Sequence, residues 1–173
     1  MRIILSALMA SATLFAAPAS AETIILQAGR VITDANQPAT GPATITVTDG
    51  KITAITPGYS DAPAGAKLIN LRDKTVLPGL IDLHVHLQSN PGGDFRDEAV
   101  VSDEFATLMG ARNALRTVKA GFTTVRDLGS TPLGGFALRD ATAKGVIPGP
   151  RIIAAGPAIS IIEIGRASCR ERV

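Results

Sequence analysis

Residues 77–90 read LPGLIDLHVHLQSN and contain both histidines of this 173-residue chain. After a Pro-Gly turn, apolar and polar residues alternate: the apolar set is Ile81, Leu83, Val85 and Leu87, and the polar set is Asp82, His84 and His86. Side chains of a strand point alternately to its two sides. The alternation therefore predicts a strand with one apolar face that packs under helices and one polar face that carries both imidazoles.

Two imidazoles at positions i and i+2 of a strand lie on the same side, roughly 7 Å apart along the backbone. Their ring nitrogens can converge on one ion, because zinc accepts histidine nitrogen at about 2.0 to 2.1 Å and a catalytic zinc site keeps one position open for water. A His-x-His pattern also occurs by chance on exposed strands. Taken alone, the spacing of His84 and His86 leaves a metal site and an incidental pair open.

Residues 1–21 are typical of a secretory signal peptide, with Arg2 before an apolar stretch over residues 3–17 and a small-residue cleavage site at residues 19–21. We expect cleavage before Glu22 and a secreted or periplasmic protein. The apolar stretch is shorter than the roughly 20 residues that a spanning helix needs, which argues against a membrane anchor.

Residues 163–173 read EIGRASCRERV. From the second base of the first codon, a common sequencing-library adapter encodes this string. We predict that the segment is a non-native tail and that the natural gene continues past about Ile162; the longer protein is called the full-length parent below. The alternative is a genuine basic tail, which codons that differ from the adapter would establish.

The part of the chain between these two ends carries no net charge. The whole chain has 17 basic and 15 acidic residues, and the ends remove Arg2, Arg166, Arg170, Arg172, Glu163 and Glu171. Thirteen residues of each sign remain, so the charge gives no reason to expect a nucleic-acid partner. The single cysteine, Cys169, lies in the expected tail, which excludes a disulfide framework or a thiolate metal site between the ends.

Residues 22–76 are predicted to form a meander of short strands with one apolar face. Asp49-Gly50 lies between two alternating runs, which is a strong hairpin signal. We also expect a turn at Gly29 and another at residues 72–74, each between two strands. No residue of this region has a pattern typical of a reactive group.

Residues 77–162 are predicted to alternate strand, helix, strand, helix and strand, which implies parallel pairing in an α/β barrel or a doubly wound sheet. The first helix is expected to begin after Ser102 as its N-cap and to stop at Gly121. Its apolar residues recur at helical spacing: Phe105, Leu108, Met109, Leu115 and Val118. A strand FTTVRDLG, a short helix that ends near Gly145 and a third strand over residues 151–155 follow.

The string VLPGLIDLHVHL resembles the first barrel strand of the metal-dependent amidohydrolases, with its Pro-Gly-hydrophobic-x-Asp-x-His-x-His signature. GFTTVRDLGS and IPGPRIIAAGPAIS resemble the second and third strand regions of the branch that is similar to imidazolonepropionase and Xaa-Pro dipeptidase. The resemblance covers nearly all of residues 22–162. It implies a (β/α)₈ barrel preceded by strands of a small β-sandwich, with the active site at the carboxyl ends of the barrel strands.

The resemblance also implies a chemistry. Members of this branch hold two divalent ions, commonly zinc, bridged by a carboxylated lysine and a hydroxide, and His84 and His86 match two of the metal ligands. The hydroxide would attack the carbonyl of an amide, a cyclic amide or a peptide bond. The implied partner is a small-molecule or peptide amide substrate.

The chain departs from the family pattern because it holds no third histidine and no later barrel strand. Neither Lys119 nor Lys144 is assigned the bridging role. Two ligands seldom suffice for catalytic zinc, and three strands leave an open sheet edge. We therefore predict that the 173-residue chain is an inactive, poorly folded fragment whose catalytic residues lie in the missing part.

Further candidates keep two interpretations each. Asp82 can orient a ligand histidine or anchor the strand end, and Asp127 can reach the site or pair with Arg126. Residues 88–95 can cover the site and contact substrate or form a plain solvent loop. Four acidic residues favour a solvated helix start: Asp97, Glu98, Asp103 and Glu104. Alternatives to a hydrolase are a secreted β-rich binding module and a metal-binding protein without catalysis.

Overall fold

The computed structural model describes residues 22–92 and 100–158, which form two compact units divided after Leu77. The predicted signal peptide, the predicted tail and the predicted acidic positions Asp97 and Glu98 lie outside the described residues. Among the helices of the described part, none is both long enough and apolar enough to cross a membrane.

The first unit is a four-stranded sheet in the order β3-β2-β1-β4. Its strands are β1 (Thr23–Val31), β2 (Ala43–Thr48), β3 (Lys51–Pro57) and β4 (Lys67–Val76). The first three strands pair antiparallel, whereas β4 pairs with β1 in parallel. The predicted meander is therefore wrong at its last strand, which lies beside β1 and not beside β3.

The hairpin predicted at Asp49-Gly50 is confirmed. Thr48 pairs with Lys51, and the two residues between them have φ values of 49° and 74°. A two-residue turn with positive φ at both positions matches the right-handed twist of its flanking strands. Beyond the turn the pairing shifts by one residue between Thr46 and Val47. Ile45 lies in the buried core of the unit, with Ala28, Val31 and Ala43.

The turns predicted at Gly29 and at residues 72–74 are both wrong, because one β-bulge takes their place. The pairing of β1 with β4 runs from Ala28↔Leu71 to Arg30↔Thr75, so three residues of β4 lie opposite Gly29. A Cβ atom on Gly29 would lie 2.1 Å from the carbonyl oxygen of Arg72. Glycine thus permits a close approach of two backbones, and both strands continue through the irregularity.

The second unit alternates strands and helices as predicted. Its elements are β5 (Leu80–Val85), α1 (Asp103–Lys119), β6 (Phe122–Asp127), α2 (Gly134–Ala143) and β7 (Arg151–Ala154). The three strands form one sheet in the order β5-β6-β7 with parallel pairing throughout, which confirms that prediction. The buried core of this unit consists of Leu87, Val125, Leu138 and Ile152.

Helix α1 begins and ends where the sequence predicts. The backbone N–H of Phe105 donates to the hydroxyl of Ser102 at 3.2 Å, and Gly121 follows the helix with φ 97°. The buried face, however, is a stripe of small residues: Ala106, Gly110 and Ala114. A Cβ atom on Gly110 would lie 2.4 Å from Cδ1 of Leu138, so close packing against α2 selects small residues, and Phe105 remains exposed.

The apolar face of β5 is covered only at its carboxyl end. Leu87 is 4% exposed, whereas Ile81 and Leu83 are each 63% exposed. The expectation that this whole face packs under helices is therefore wrong for the described residues. Within the part of the chain that the structure describes, β5 also lies at an edge of its sheet, with β6 as its one neighbour.

Candidate metal site

The two histidines lie at the carboxyl end of β5. His84 belongs to the strand and His86 follows it directly, while Asp127 ends the neighbouring parallel strand β6. The centroids of the two imidazole rings are 5.4 Å apart, and the ring planes are inclined by 67°. Parallel pairing thus brings the two imidazoles and Asp127 together at the carboxyl ends of neighbouring strands, where α/β barrels carry their active sites.

A β-bulge also lies at the first of these histidines. The pairing of β5 with β6 changes from Asp82↔Val125 to Val85↔Asp127, so two residues of β5 oppose one residue of β6. Oδ1 of Asp82 accepts the backbone N–H of His84 at 3.0 Å, which holds this irregular segment. Bulges often redirect side chains beside functional sites. Asp82 therefore shapes the backbone that carries His84.

The ring of His86 is oriented by a backbone carbonyl. Its Nδ1 lies 3.3 Å from the carbonyl oxygen of Gly129, in the turn after β6. When Nδ1 carries the proton and donates it to this oxygen, Nε2 keeps a lone pair that can bind a metal ion. A Cβ atom on Gly129 would lie 3.0 Å from both Nδ1 and Cε1 of His86, so the glycine makes room for the ring.

Asp127 is a buried carboxylate beside His86. Its side chain is 1% exposed, and Oδ1 accepts the backbone N–H of Gly129 at 3.3 Å. Oδ2 is buried without a hydrogen-bond partner among the described residues. Burial raises the pKa of Asp127, and the backbone N–H groups of Gly129 and Leu87 together with His86 oppose the rise.

One of the two roles predicted for Asp127 is an ion pair with Arg126. Among the described residues, ion pairs join Lys74 to Asp73 and Arg139 to Asp140, and none joins Arg126 to Asp127. Arg126 is exposed while Asp127 is buried, as expected for neighbours on a strand. The pairing with Arg126 is therefore wrong, and Asp127 directs its carboxyl towards the turn next to His86.

These residues fit one part of a metal site. The geometry directs Nε2 of His86 away from its carbonyl partner, and the ring of His84 lies close by. A buried oxygen of Asp127 beside them has no donor among the described residues. No group of three or more His, Cys, Asp or Glu side chains able to hold a metal occurs among residues 22–92 and 100–158. The two histidines can contribute nitrogen ligands, and a complete set requires residues from outside this part.

Gln88 is a buried structural residue and not part of an exposed loop. It is 3% exposed, and its amide nitrogen donates to the hydroxyls of Thr107 and Thr131 at 3.0 and 3.1 Å. Its amide oxygen accepts the backbone N–H of Thr131 at 2.7 Å. Both interpretations of residues 88–95 are therefore wrong for Gln88, and residues 93–95 lie outside the described part.

Helix α1 holds the same segment from the other side. The side-chain amide of Asn113 donates to the carbonyl oxygens of Leu87 and Ser89 at 2.8 and 3.1 Å. Asn113 also lines a groove of about 520 Å³ whose wall includes His86. The backbone that follows the histidines is thus fixed by polar side chains on two sides.

We expect Gln88→Leu to lower the free energy of unfolding of the full-length parent by about 2 kcal/mol. The substitution leaves the buried N–H of Thr131 without its acceptor, and such a group costs about 1 to 3 kcal/mol. Urea unfolding measures the change, with Gln37→Leu as the matched control because Gln37 is exposed. A loss no larger than that of the control would contradict the role assigned to Gln88.

Sequence reasoning missed Gly129 and Asn113, and it assigned Gln88 to a loop, although all three residues shape the site. Gly129, Gln88 and Asn113 act on backbone or ring orientation, and their partners are far away in the sequence. The glycine in RDLGS, directly after a predicted strand, was the one available signal. The predicted helix start is confirmed for Asp103 and Glu104, which lie in the first turn of α1. Glu104 is exposed as predicted, whereas Oδ1 of Asp103 is buried.

Curated relatives match parts of the chain. An allantoinase of Streptomyces avermitilis is 46% identical over 69 residues, which cover 40% of this chain and 15% of the relative. A dihydroorotase of Syntrophus aciditrophicus is 34% identical over 87 residues, covering 50% of this chain and 20% of the relative. The chain thus spans about a fifth or less of the length of these relatives.

Solved structures match most of the described fold. A Xaa-Pro dipeptidase with bound methionine in its active site superposes with a TM-score of 0.71 and 34% identity. The match covers 80% of this chain and 34% of the dipeptidase chain. This likeness confirms the predicted fold class, which is the first part of an α/β barrel preceded by β-strands.

A family model described as "Amidohydrolase family" matches residues 75–173. The matched residues include both histidines and all three strands of the second sheet, β5, β6 and β7. The match covers more than half of the chain, and it agrees with the names of the relatives and with the shape of the second unit. On these grounds, the chain belongs to the amidohydrolase family.

Proposed function

We propose that the full-length parent is a metal-dependent hydrolase of amide, cyclic amide or peptide C–N bonds, and that His84 and His86 bind its metal. The observation that carries the proposal is the geometry of the two imidazoles, whose ring centroids lie 5.4 Å apart at the carboxyl end of β5. The names allantoinase, dihydroorotase and Xaa-Pro dipeptidase among the relatives support the reaction class.

The residues of this chain position the reaction. His84 and His86 would hold a divalent ion, for which we propose zinc, with a second ion bound by residues outside the described part. When bound, such an ion lowers the pKa of water towards about 7 and polarises a carbonyl oxygen. The Gly129 carbonyl keeps Nδ1 of His86 occupied, and Asp82 fixes the backbone at His84.

We further propose that the 173-residue chain is an inactive fragment. It spans 34% of the dipeptidase chain, and the described residues supply two histidines to the site. The open edge of β5 and the exposed side chains of Ile81 and Leu83 support the view that the fragment lacks the segments that would cover them. The N-terminal segment is proposed to direct the parent to the periplasm or outside the cell.

The test is made on the full-length parent purified without chelators. We expect about two zinc or other divalent ions per chain by elemental analysis, and hydrolysis of at least one of three probes, namely an Xaa-Pro dipeptide, dihydroorotate or allantoin. Dialysis against a chelator should abolish turnover, and zinc should restore it. A parent that binds no divalent ion and hydrolyses no amide probe would contradict the proposal.

The alternative of a metal-binding protein without catalysis gives a different result in the same experiment. It predicts bound metal together with no turnover of any probe. A binding module with incidental histidines predicts neither. Measuring metal content and hydrolysis on one preparation therefore separates the three functions.

A further inference from the structure

The orientation of His86 depends on a turn that contains a glycine. The rings of histidines have two nitrogens, and the hydrogen bond made by one decides which remains available to a metal. In this chain that bond goes to the carbonyl of Gly129, a residue without a Cβ atom. Because glycine has wide conformational freedom, sterics alone do not fix where this carbonyl points.

Three successive backbone N–H groups of the turn have partners. The N–H of Leu128 donates to the carbonyl of Val85, and the N–H of Ser130 donates to the carbonyl of Gly156. Between them, the N–H of Gly129 donates to Oδ1 of Asp127. Of these three acceptors, Asp127 alone is a side chain and can be changed by substitution, since the other two are backbone carbonyls.

Two of these bonds fix the peptide planes on either side of Gly129. The bond to Asp127 holds the plane before it, and the bond from Ser130 holds the plane that contains its carbonyl. The backbone N–H of Leu87, directly after His86, also opposes the rise in the pKa of Asp127 that burial causes. The buried carboxylate thus accepts a hydrogen bond from the Gly129 segment and lies close to the segment that carries His86.

We propose that Asp127 is a positioning residue that accepts the N–H of Gly129 and so holds the Gly129 carbonyl against Nδ1 of His86. This contact selects the tautomer of His86 in which Nε2 is free to bind a metal ion. The metal part of the inference rests on the proposed function above, whereas the tautomer of His86 does not require a metal.

The first readout is the tautomer of His86 in the metal-free full-length parent, read from two-bond ¹H–¹⁵N spectra. The signal of His86 is assigned by its loss in His86→Gln. We expect the Nδ1-protonated form in the unsubstituted protein and in Asp127→Asn, which keeps an acceptor oxygen. Asp127→Ala should give a mixture of tautomers, and Asp127→Leu replaces it if the alanine variant does not fold.

The second readout is the affinity for Co²⁺, followed by its visible absorption. Loss of a residue that orients a metal ligand typically lowers metal affinity about 10 to 100-fold. For Asp127 we expect the lower end of this range, because the hydrogen bond donated by the N–H of Ser130 still holds the Gly129 carbonyl when the Asp127 side chain is removed. We expect about a 10-fold loss in Asp127→Ala and less than about 3-fold in Asp127→Asn. Asp140→Ala is the control, because Asp140 is an exposed aspartate of the same unit, paired with Arg139.

Each outcome decides one idea. An Nε2-protonated His86 in the unsubstituted protein would overturn the positioning role. An unchanged tautomer in Asp127→Ala, or in the Asp127→Leu variant that replaces it, would overturn it as well. Equal losses of Co²⁺ affinity in Asp127→Asn and Asp127→Ala would also overturn it, since charge and not the hydrogen bond would then matter. A parent that binds no Co²⁺ at all would overturn the proposed function, while the tautomer still decides the role of Asp127.

Discussion

The His86→Ala variant of the full-length parent is expected to bind zinc at least about 100-fold more weakly, and to lose hydrolysis by at least the same factor. The substitution removes a ring nitrogen that we propose as a metal ligand. Loss of a residue that only orients a ligand already lowers metal affinity about 10 to 100-fold, so loss of the ligand itself should cost at least as much. Competition with a chelator of known affinity measures the binding, and initial rates on the preferred amide probe measure the activity.

A double-mutant cycle with His84→Ala provides the control. If both imidazoles hold one site, either single substitution removes most of the binding, and the double variant loses little more. The circular dichroism spectrum should be the same in all variants, which separates a lost site from a lost fold. Additive losses, or a His86→Ala variant that keeps its zinc, would contradict a shared site.

The Gly29→Ala variant is expected to lose about 3 kcal/mol of unfolding free energy. The added Cβ atom would lie 2.1 Å from the carbonyl oxygen of Arg72 and 2.9 Å from its carbonyl carbon. These are backbone atoms that cannot rotate away, so relief requires separation of β1 from β4. Urea unfolding of the full-length parent, followed by circular dichroism, measures the loss.

Gly41→Ala is the matched control for this prediction. A Cβ atom on Gly41 would meet no atom within 4 Å, and its φ is not positive. The same chemical change should therefore leave stability nearly unchanged or raise it slightly, because alanine restricts the unfolded chain. Similar stabilities for the two variants would show that the close approach at the bulge is not needed.

Local patterns predicted much of the fold correctly. The alternation at residues 80–87 gave a strand, the Asp49-Gly50 pair gave a hairpin, and Ser102 and Gly121 marked the ends of α1. Each of these signals depends on residues within a few positions of one another. The order of strand and helix segments was then sufficient to predict parallel pairing in the second unit.

Features that depend on distant backbones were not predicted. From the sequence, Gly29 and residues 72–74 each have the composition of a turn. The pairing of β1 with β4 shows that they form one bulge. The apolar residues that recur along α1 do not mark its buried face, because the approach of α2 at Gly110 leaves room only for small side chains. Both errors arise where a tertiary contact overrides a local preference.

In the candidate site too, local patterns were readable from the sequence and contacts between distant segments were not. The identity and spacing of His84 and His86 were readable from the sequence, and they carried the family resemblance. The partner of His86 was not readable, because Gly129 lies 43 residues away and acts through a backbone carbonyl. Asp127 was found as a candidate, but its contact with the N–H of Gly129 required the structure.

The most direct test of the account is a crystal structure of the full-length parent grown with its natural ions, with anomalous data at the zinc edge. We predict an anomalous peak about 2.0 to 2.1 Å from ring nitrogens of both His84 and His86, with Nδ1 of His86 still on the carbonyl of Gly129. Two rings that point away from every anomalous peak would contradict the central claim.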